Sequence, residues 1–334
     1  MYLVMILTYS FLFNGMIEVT MRDQIREQVK TERLRFANKP GIDDQDLVRH
    51  TEEREQQLYQ QYGLDKPYLE KVVAKTWQIA TFQYGKATHM RSGKQDQDVW
   101  SIIVEVLPNT AILFTSEIVI VVLLGVALGI RMARKPNGPL DRTVSLITMI
   151  TNGLPSWWAG MLLIMLFAYT VPIFPSGGIS SVPPLEGFAG IVDMLYHMIL
   201  PLFTLVILAF WGVAYITRNI VLGTLQEDFI MAARARGIPE LKVLYGHTMR
   251  TAMPAIITIA VTSLFSSISG NLVFEGIFNW PGMGNLYWTA LQQGDVPVLM
   301  GNLALTTAIN MVGFVLIDIL YGFLDPRIKV GGKA

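Results

Sequence analysis

Residues 227–254 read Glu227-Asp228-Phe229-Ile230-Met231-Ala232-Ala233-Arg234-Ala235-Arg236-Gly237-Ile238-Pro239-Glu240-Leu241-Lys242-Val243-Leu244-Tyr245-Gly246-His247-Thr248-Met249-Arg250-Thr251-Ala252-Met253-Pro254. Residues 228–236 are rich in helix formers, and Gly237 is a natural helix stop. Ile238-Pro239-Glu240 begins a second short helix, because proline suits a helix start. A small residue at the turn lets the two helices dock closely. Their exposed face then offers Glu240, Lys242, Val243 and Tyr245 to a partner. Two short helices broken by a Gly-Ile-Pro turn fit a protein cleft better than a flat lipid surface. The stretch is far longer than a simple connection, and it separates two long apolar runs.

Those runs belong to a membrane protein. The chain has 334 residues, 52% of them apolar, and a mean hydropathy of +0.42. Of its 26 Lys and Arg, 14 lie between Arg22 and Lys94, and the rest fall in short segments between apolar stretches. A bilayer imposes such segregation, since a charge at its centre costs several kcal/mol. A spanning helix needs roughly 20 mostly apolar residues. Six candidates are present, at about 1–17, 108–130, 143–171, 196–220, 250–272 and 299–322. The third carries Pro155, which predicts a kink or tilt. The expected fold class is therefore all-α, with six transmembrane helices.

Lys and Arg in the short loops set the orientation. The 131–142 loop holds Arg131, Arg134, Lys135 and Arg142, and the 218–250 segment holds Arg218, Arg234, Arg236, Lys242 and Arg250. The tail holds Arg327, Lys329 and Lys333, whereas the 172–195 and 273–298 loops hold no Lys or Arg. This predicts cytoplasmic termini and an extracytoplasmic 18–107. The chain then divides into a first transmembrane helix at 1–17, an extracytoplasmic helical segment at 18–107, and a core of five spans at 108–334 with a cytoplasmic segment at 222–249. Residues 1–17 lack the basic start and small-residue cleavage pattern of a signal peptide. They reach only about 25 Å at 1.5 Å per residue, short of a roughly 30 Å hydrocarbon core. The expectation is a native first helix that is longer or starts elsewhere.

Residues 18–60 read as a polar, mostly helical stretch broken at Pro40-Gly41. Asp43, Asp44 and Asp46 read as a helix start rather than a calcium site, because no EF-hand spacing follows. Residues 66–107 place Tyr68, Trp77, Phe82, Tyr84 and Trp100 on helical spacing, as a cap on the membrane domain. His50 and His89 stand apart, and His197 and His247 stand alone at helix ends.

No nucleotide-binding Gly-rich loop, His-Glu-x-x-His or Gly-x-Ser-x-Gly motif occurs, and there is no cysteine. A net charge of zero signals no nucleic-acid partner. Catalytic and metal roles are therefore not expected. Only Glu117 lies well inside a span, with no second acid to form an ion relay. It serves transport directly, or it faces a wet cavity or a subunit contact. Asp318 sits near the end of the last span and can reach the interface. Gly125 and Gly129 form a Gly-x-x-x-Gly that brings helix backbones close. Asn152, Ser156, Asn271 and Asn310 add polar groups that could bond between helices or line a path. The 278–298 loop keeps Phe278, Trp280, Leu286, Tyr287 and Trp288 without a cation. It is expected to fold back as a short helix, either gating the outer mouth through Trp280 and Tyr287 or resting at the lipid interface.

Asp228-Phe229-Ile230, followed by Ala233-Arg234-Ala235-Arg236-Gly237, resembles the EAA loop of ABC importer permeases in its dipeptide/oligopeptide form. His247, Arg250, Ala252 and Pro254 continue the pattern. Gly63-Leu64-Asp65-Lys66-Pro67, Leu107-Pro108-Asn109-Thr110, Leu140-Asp141-Arg142, Pro155-Ser156-Trp157-Trp158, Trp280-Pro281-Gly282-Met283-Gly284, Asp295-Val296-Pro297 and Leu324-Asp325-Pro326-Arg327-Ile328 resemble further elements of that family. The likeness covers roughly 58–330. Met231 stands where the general loop has an acid, which the peptide branch also lacks. Residues 18–57 do not match and look like an insert. The family's basic start and longer first helix are missing.

The resemblance implies a permease subunit of the cell membrane. Its partners would be a second permease of the same fold, two cytoplasmic ATPases that hold ATP and Mg, and an extracytoplasmic solute-binding protein. It implies coupling through Asp228, Ala232, Ala233, Arg234, Arg236, Gly237, Glu240, Lys242 and Tyr245, seated in an ATPase cleft. The solute it implies is a di- or oligopeptide, with oligosaccharide or nickel as the alternative. A secondary transporter is a further alternative, against which the lone Glu117 speaks.

Overall fold

The computed structural model describes residues 2–37, 44–61, 64–267 and 270–324. The fold is all-α. In chain order the helices are α1 (Tyr2–Ala37), α2 (Asp44–Gln61), α3 (Tyr68–Ala80), α4 (Val99–Arg134), α5 (Pro139–Asn152), α6 (Ser156–Ile164), α7 (Gly187–Leu225), α8 (Asp228–Ala235), α9 (Glu240–Lys242), α10 (Met249–Ser267), α11 (Leu272–Ile277), α12 (Met283–Gln293) and α13 (Val296–Leu324). Two π-helical turns, Met165–Thr170 and Val243–Thr248, continue α6 and join α9 to α10.

Among the described residues, four helices are long and apolar enough to cross a membrane: Val99–Arg134, Gly187–Leu225, the run Glu240–Phe265, and Val296–Ile317. A fifth span arises if α5 and α6 count as one, although the two halves meet at 94°. That is a change of direction, not the kink expected at Pro155. The physical reason lies in the sequence: Pro155 stands at the N-cap of α6, and the residue before a proline is held away from helical geometry. The expected first span is the start of α1, whose apolar run Leu3–Leu12 is shorter than a bilayer. The helix continues past the polarity change at Glu18 without a break.

The chain folds as two compact units. One comprises residues 1–106 and 286–308. Within it, Ile25 and Val29 of α1 pack with Leu58 of α2 and Leu64. Arg54 donates to Glu32 at 2.7 Å, tying α2 to α1. Glu18 accepts from Arg22 at 2.8 Å and from Lys71 of α3 at 3.0 Å. Asp44 opens α2, as a helix start requires, and Asp43 lies outside the described residues. The His50 ring stacks on Phe36. Asp295 is buried and accepts the amides of His89 and Met90 at 2.8 and 3.0 Å.

The other unit comprises residues 107–285 and 309–334. Here the Gly-x-x-x-Gly of α4 meets α7. A Cβ on Gly125 would stand 2.7 Å from Val213 Cβ, and one on Gly129 would stand 2.7 Å from Thr217 Cβ. No other residue type permits that approach. Arg218 of α7 donates Nε and Nη2 to the two carboxylate oxygens of Asp141 at 2.9 and 2.7 Å. Asp141 is buried and also accepts the Asn137 amide at 2.8 Å, so one carboxylate ties the α4–α5 turn and α7 together. His197 is not alone, as expected from its position, but contacts Asp193 one turn earlier. Its Nδ1 lies 2.9 Å from the Asp193 carbonyl oxygen. Asp193 in turn accepts from the Ser181 amide and hydroxyl.

Breaking a buried ion pair from one side leaves an uncompensated charge and costs about 3 kcal/mol. Asp141→Ala is expected to lower the thermal midpoint of the detergent-solubilised protein sharply. Asp141→Ala with Arg218→Ala should lose less than the sum of the two single variants. Strict additivity in that cycle would show that the pair is not a coupled tie.

Candidate functional site

Three places gather the polar and aromatic residues singled out by the sequence. The first is the segment at 228–248. Helix α8 turns its Ile230 and Ala233 inward, where they pack with Val243, supported by Leu225 and Ile238. Gly237 follows with φ +75°, a left-handed conformation that L-residues adopt at a cost. A Cβ there would meet nothing within 4 Å, so the requirement is the backbone angle and not close docking. Pro239 caps α9. Arg234 and Glu240 close the turn with two bonds, Nη2 to Oε1 at 2.6 Å and Nε to Oε2 at 3.1 Å.

Asp228, Ala232, Arg236, Lys242 and Tyr245 remain on the exposed side, with Phe229, Met231 and Leu241. Val243 does not join them. It is 0% exposed, and its expected place on the partner-facing surface is corrected. Nor is the second helix a separate piece. From Glu240 the helical path runs through the π-helical turn into α10 without interruption. Leu244, Met249, Ala252 and Ile256 on that run pack with Ile130, Ala133 and Val221 of α4 and α7.

The second place is an open cleft of about 420 Å³ lined by Phe114, Glu117, Thr262, Ser263, Ser267 and Asn271, among others. It brings together Glu117 and Asn271, two of the sequence-predicted pathway residues. The others are elsewhere. Asn152 and Ser156 flank the break between α5 and α6, Tyr287 lies half-buried on α12, and Asn310 lies half-buried on α13.

The third place was missed from sequence. Glu275 of α11 is 0% exposed and, among the described residues, has no basic partner in contact. Its Oε1 accepts the Thr110 hydroxyl at 3.1 Å, and its Oε2 accepts the amides of Gly284 and Asn285 at 2.8 and 3.0 Å. The Asn271 amide lies 3.4 Å from Oε1, and Asn271 Oδ1 caps α11 at the Phe274 amide. Burial pushes the Glu275 carboxyl up, and the bonds from Asn285, Thr110, Asn271 and Gly284 pull the other way. Thr110 Oγ1 also accepts the Met283 amide at 2.7 Å. A Cβ on Gly282 would overlap Thr110 Oγ1 and the Glu275 carboxylate.

Trp280 is 1% exposed and donates its indole N–H to Asn109 O at 3.0 Å, and Asn109 Nδ2 donates to Pro281 O at 2.7 Å. Two motifs far apart in sequence, 107–110 and 280–284, are thus one bonded node around a carboxylate. Trp280, expected at a gate or resting at the lipid interface, lies buried in the core, packed with Leu113, Phe114, Phe274 and Phe278. The loop does contain a short helix, α12. The signal for Glu275 was available: an acid flanked by Phe274 and Ile277 in a loop free of Lys and Arg.

Residues 125–330 match the family described as binding-protein-dependent transport system inner membrane component. Among curated relatives, the chain is 31% identical over 274 residues to the oligopeptide transport system permease protein AppB of Bacillus subtilis, covering 82% of this chain and 84% of that one. It is 30% identical to the dipeptide transport system permease protein DppB of Escherichia coli K12, covering 83% and 86%. It is 32% identical to the peptidoglycan transport system permease protein YejB of Agrobacterium fabrum, covering 81% and 74%. The inward-facing structure of the MetNI methionine ABC transporter superimposes with a TM-score of 0.53 at 16% identity, over 67% of this chain and 96% of that one, a likeness of fold alone. The chain belongs to the binding-protein-dependent transport system inner membrane component family. It is a permease subunit of an ABC importer, which sets aside the secondary-transporter alternative.

Removing the Glu275 carboxyl group strands several donors at once, and a buried donor left unsatisfied costs about 1–3 kcal/mol. Glu275→Ala is expected to lower the thermal midpoint more than Thr110→Val does, and to open 270–285 to proteolysis. Wild-type stability in Glu275→Ala would remove the carboxylate from its organising place.

Proposed function

Taking that family as the premise, we propose that this chain forms half of the pathway by which a di- or oligopeptide enters the cell. A second permease of the same fold supplies the other half. An extracytoplasmic binding protein delivers the peptide, and two cytoplasmic ATPases drive the cycle with ATP and Mg that they hold themselves. The observation that carries the reading is the 228–248 segment. An ion-paired, glycine-turned pair of short helices presents Phe229, Met231, Leu241 and Tyr245 outward, and its second helix is the beginning of α10.

On this reading ATP-driven closure of the ATPases moves α8 and α9, and α10 carries the motion toward the cleft of Glu117 and Asn271. The contribution of the chain is a set of contacts that differ between inward and outward states. The names of the oligopeptide and dipeptide relatives support a peptide solute. The peptidoglycan relative supports a second reading, in which the peptide carries a sugar. The chain is further assigned to the cell membrane, with six spans, both termini in the cytoplasm, and residues 18–107 outside.

Gly237→Leu forces a branched side chain into the left-handed region at a cost of about 1–2 kcal/mol. In proteoliposomes with the ATPases and binding protein, it is expected to abolish peptide uptake and binding-protein-stimulated ATP hydrolysis while the protein still inserts. Normal uptake would sink the coupling assignment. A labelled murein tripeptide offered with and without its sugar separates the two solute readings.

The topology has its own test, because the chain lacks cysteine. Val182→Cys, at a position 96% exposed, should react with an impermeant maleimide on intact cells. Lys135→Cys should react only after permeabilisation. The reverse pattern would overturn the orientation.

A further inference from the structure

The cleft of about 420 Å³ is walled by three helices. Phe114, Glu117, Ile118 and Val121 stand at i, i+3, i+4 and i+7 on α4 and so share one face. Ile259, Thr262 and Ser263 share a face of α10, and Ala209 and Val213 share one of α7. On the Val126 side the three helices close to a space of about 10 Å³ between Val126, Ile216 and Ile256, which gives the cleft a floor. At the other end α10 stops at Ser267, and Gly270 and Asn271 form the rim. Sites for small molecules start at roughly 300 Å³, so the space is large enough to hold one.

Its chemistry is one-sided. Glu117 stands near the middle of the 36-residue α4, where an ionisable group is costly to keep. Among the described residues it has no hydrogen-bond or ion-pair partner. No Lys, Arg or His is among the described residues that line the cleft. The polar groups that share the cleft with Glu117 include the Thr262 and Ser263 hydroxyls and the Asn271 carboxamide. Asn271 uses Oδ1 to cap the Phe274 amide, which leaves its side-chain N–H groups to donate. The end of α10 adds to the asymmetry, because Ser267 lines the cleft and a helix C-terminus carries partial negative charge. Glu117 and the end of α10 both favour a cation, and an anionic group would find no basic partner.

We propose that this cleft takes the amino end of the peptide, with the α-amino group on the Glu117 carboxyl. The inference rests on the reading of the chain as a peptide permease. Every unblocked peptide carries that amino group whatever its side chains, so a carboxyl here recognises the class and not one sequence. The Thr262 and Ser263 hydroxyls and the Asn271 N–H groups then meet the first peptide groups, since hydroxyls both donate and accept. The carboxylate end of the peptide, for which the cleft has no cation, stays outside it.

The test is zero-length coupling in the assembled transporter, with its ATPases and binding protein, during turnover in proteoliposomes. A lipid-soluble carbodiimide activates a carboxyl, and an amine held against it displaces the activating group to form an amide. Trialanine and N-acetyl-trialanine are offered separately at a pH of about 7.5, where much of the free α-amino group is unprotonated. Mass spectrometry should find trialanine joined to Glu117, and no adduct from the acetylated form. Glu117→Gln, which keeps the side-chain shape, should lose the adduct and lower trialanine uptake about tenfold, as loss of a hydrogen bond to a charged group does. Glu117→Asp should recover part of that uptake. A cross-link from Glu117 to a lysine of the second permease would show a subunit contact and overturn the proposal. Absence of trialanine from Glu117, or unchanged uptake in Glu117→Gln, would overturn it equally. Trialanine uptake by the untreated transporter is measured alongside. Its absence would count against the peptide reading, and its presence without the adduct would count against this inference alone.

Discussion

Inside a bilayer, a peptide group without a hydrogen-bond partner costs several kcal/mol, and no water is at hand to supply one. A chain built from long apolar helices meets that constraint wherever a helix stops. This chain stops helices in deliberate places, and in the segment after α10 one side chain answers for the interruption. Glu275 accepts the freed amides of Gly284 and Asn285, with the Asn271 amide close by. A neutral acceptor could serve one or two such donors. A carboxyl group offers two oxygens to them, and these amides with the Thr110 hydroxyl are its partners among the described residues. The glycines at 282 and 284 follow from this, since any side chain there would occupy the space of the carboxylate or the backbone it serves.

The same constraint separates what was legible in the sequence from what was not. The Gly-x-x-x-Gly of α4 and the helical nature of 228–236 are local patterns, and each took its expected form; Gly237 turns the chain as expected, but through its backbone angle and not through close docking. The spans at 108–130, 196–220 and 299–322 fall on helices long enough to cross, and most of 250–272 falls on the run Glu240–Phe265. What was not legible depends on contacts between distant residues. Asp141 and Arg218 were read as part of a motif and as a topological charge, and their pairing required knowing that the α4–α5 turn faces α7. Trp280 in a cation-free loop suggested a surface role because loops usually lie at surfaces. The Asn109 carbonyl that accepts its indole hydrogen lies 171 residues away in sequence. Val243 was assigned outward on the assumption that Glu240 begins an independent helix.

That last correction has mechanical content. If α9 were a separate helix, a force on the exposed surface could be absorbed by bending its connection to the membrane. The π-helical turn at Val243–Thr248 instead keeps the path helical from Glu240 into α10. Thr248 Oγ1 donates back to the Val243 carbonyl across that turn at 3.1 Å, and the buried Val243 and Leu244 lock it from inside. At the other end of the segment, the bidentate Arg234–Glu240 pair holds α8 to the same helix on the outside, while Ile230 and Ala233 hold it on the inside. Surface ion pairs contribute little to stability when isolated. Here the pair spans a turn whose glycine would otherwise leave the angle between α8 and α9 free, so its value lies in fixing geometry. A displacement of α8 must therefore reach α10 as a movement of the whole helix. The first packed layer it meets is Ile130, Ala133 and Val221 of α4 and α7, and further along come Thr262, Ser263 and Ser267 at the cleft opposite Glu117. Packed side chains slide between discrete arrangements more readily than they deform. On the proposed coupling role, that would give a helix anchored this way a means of switching the cleft between two forms instead of grading it.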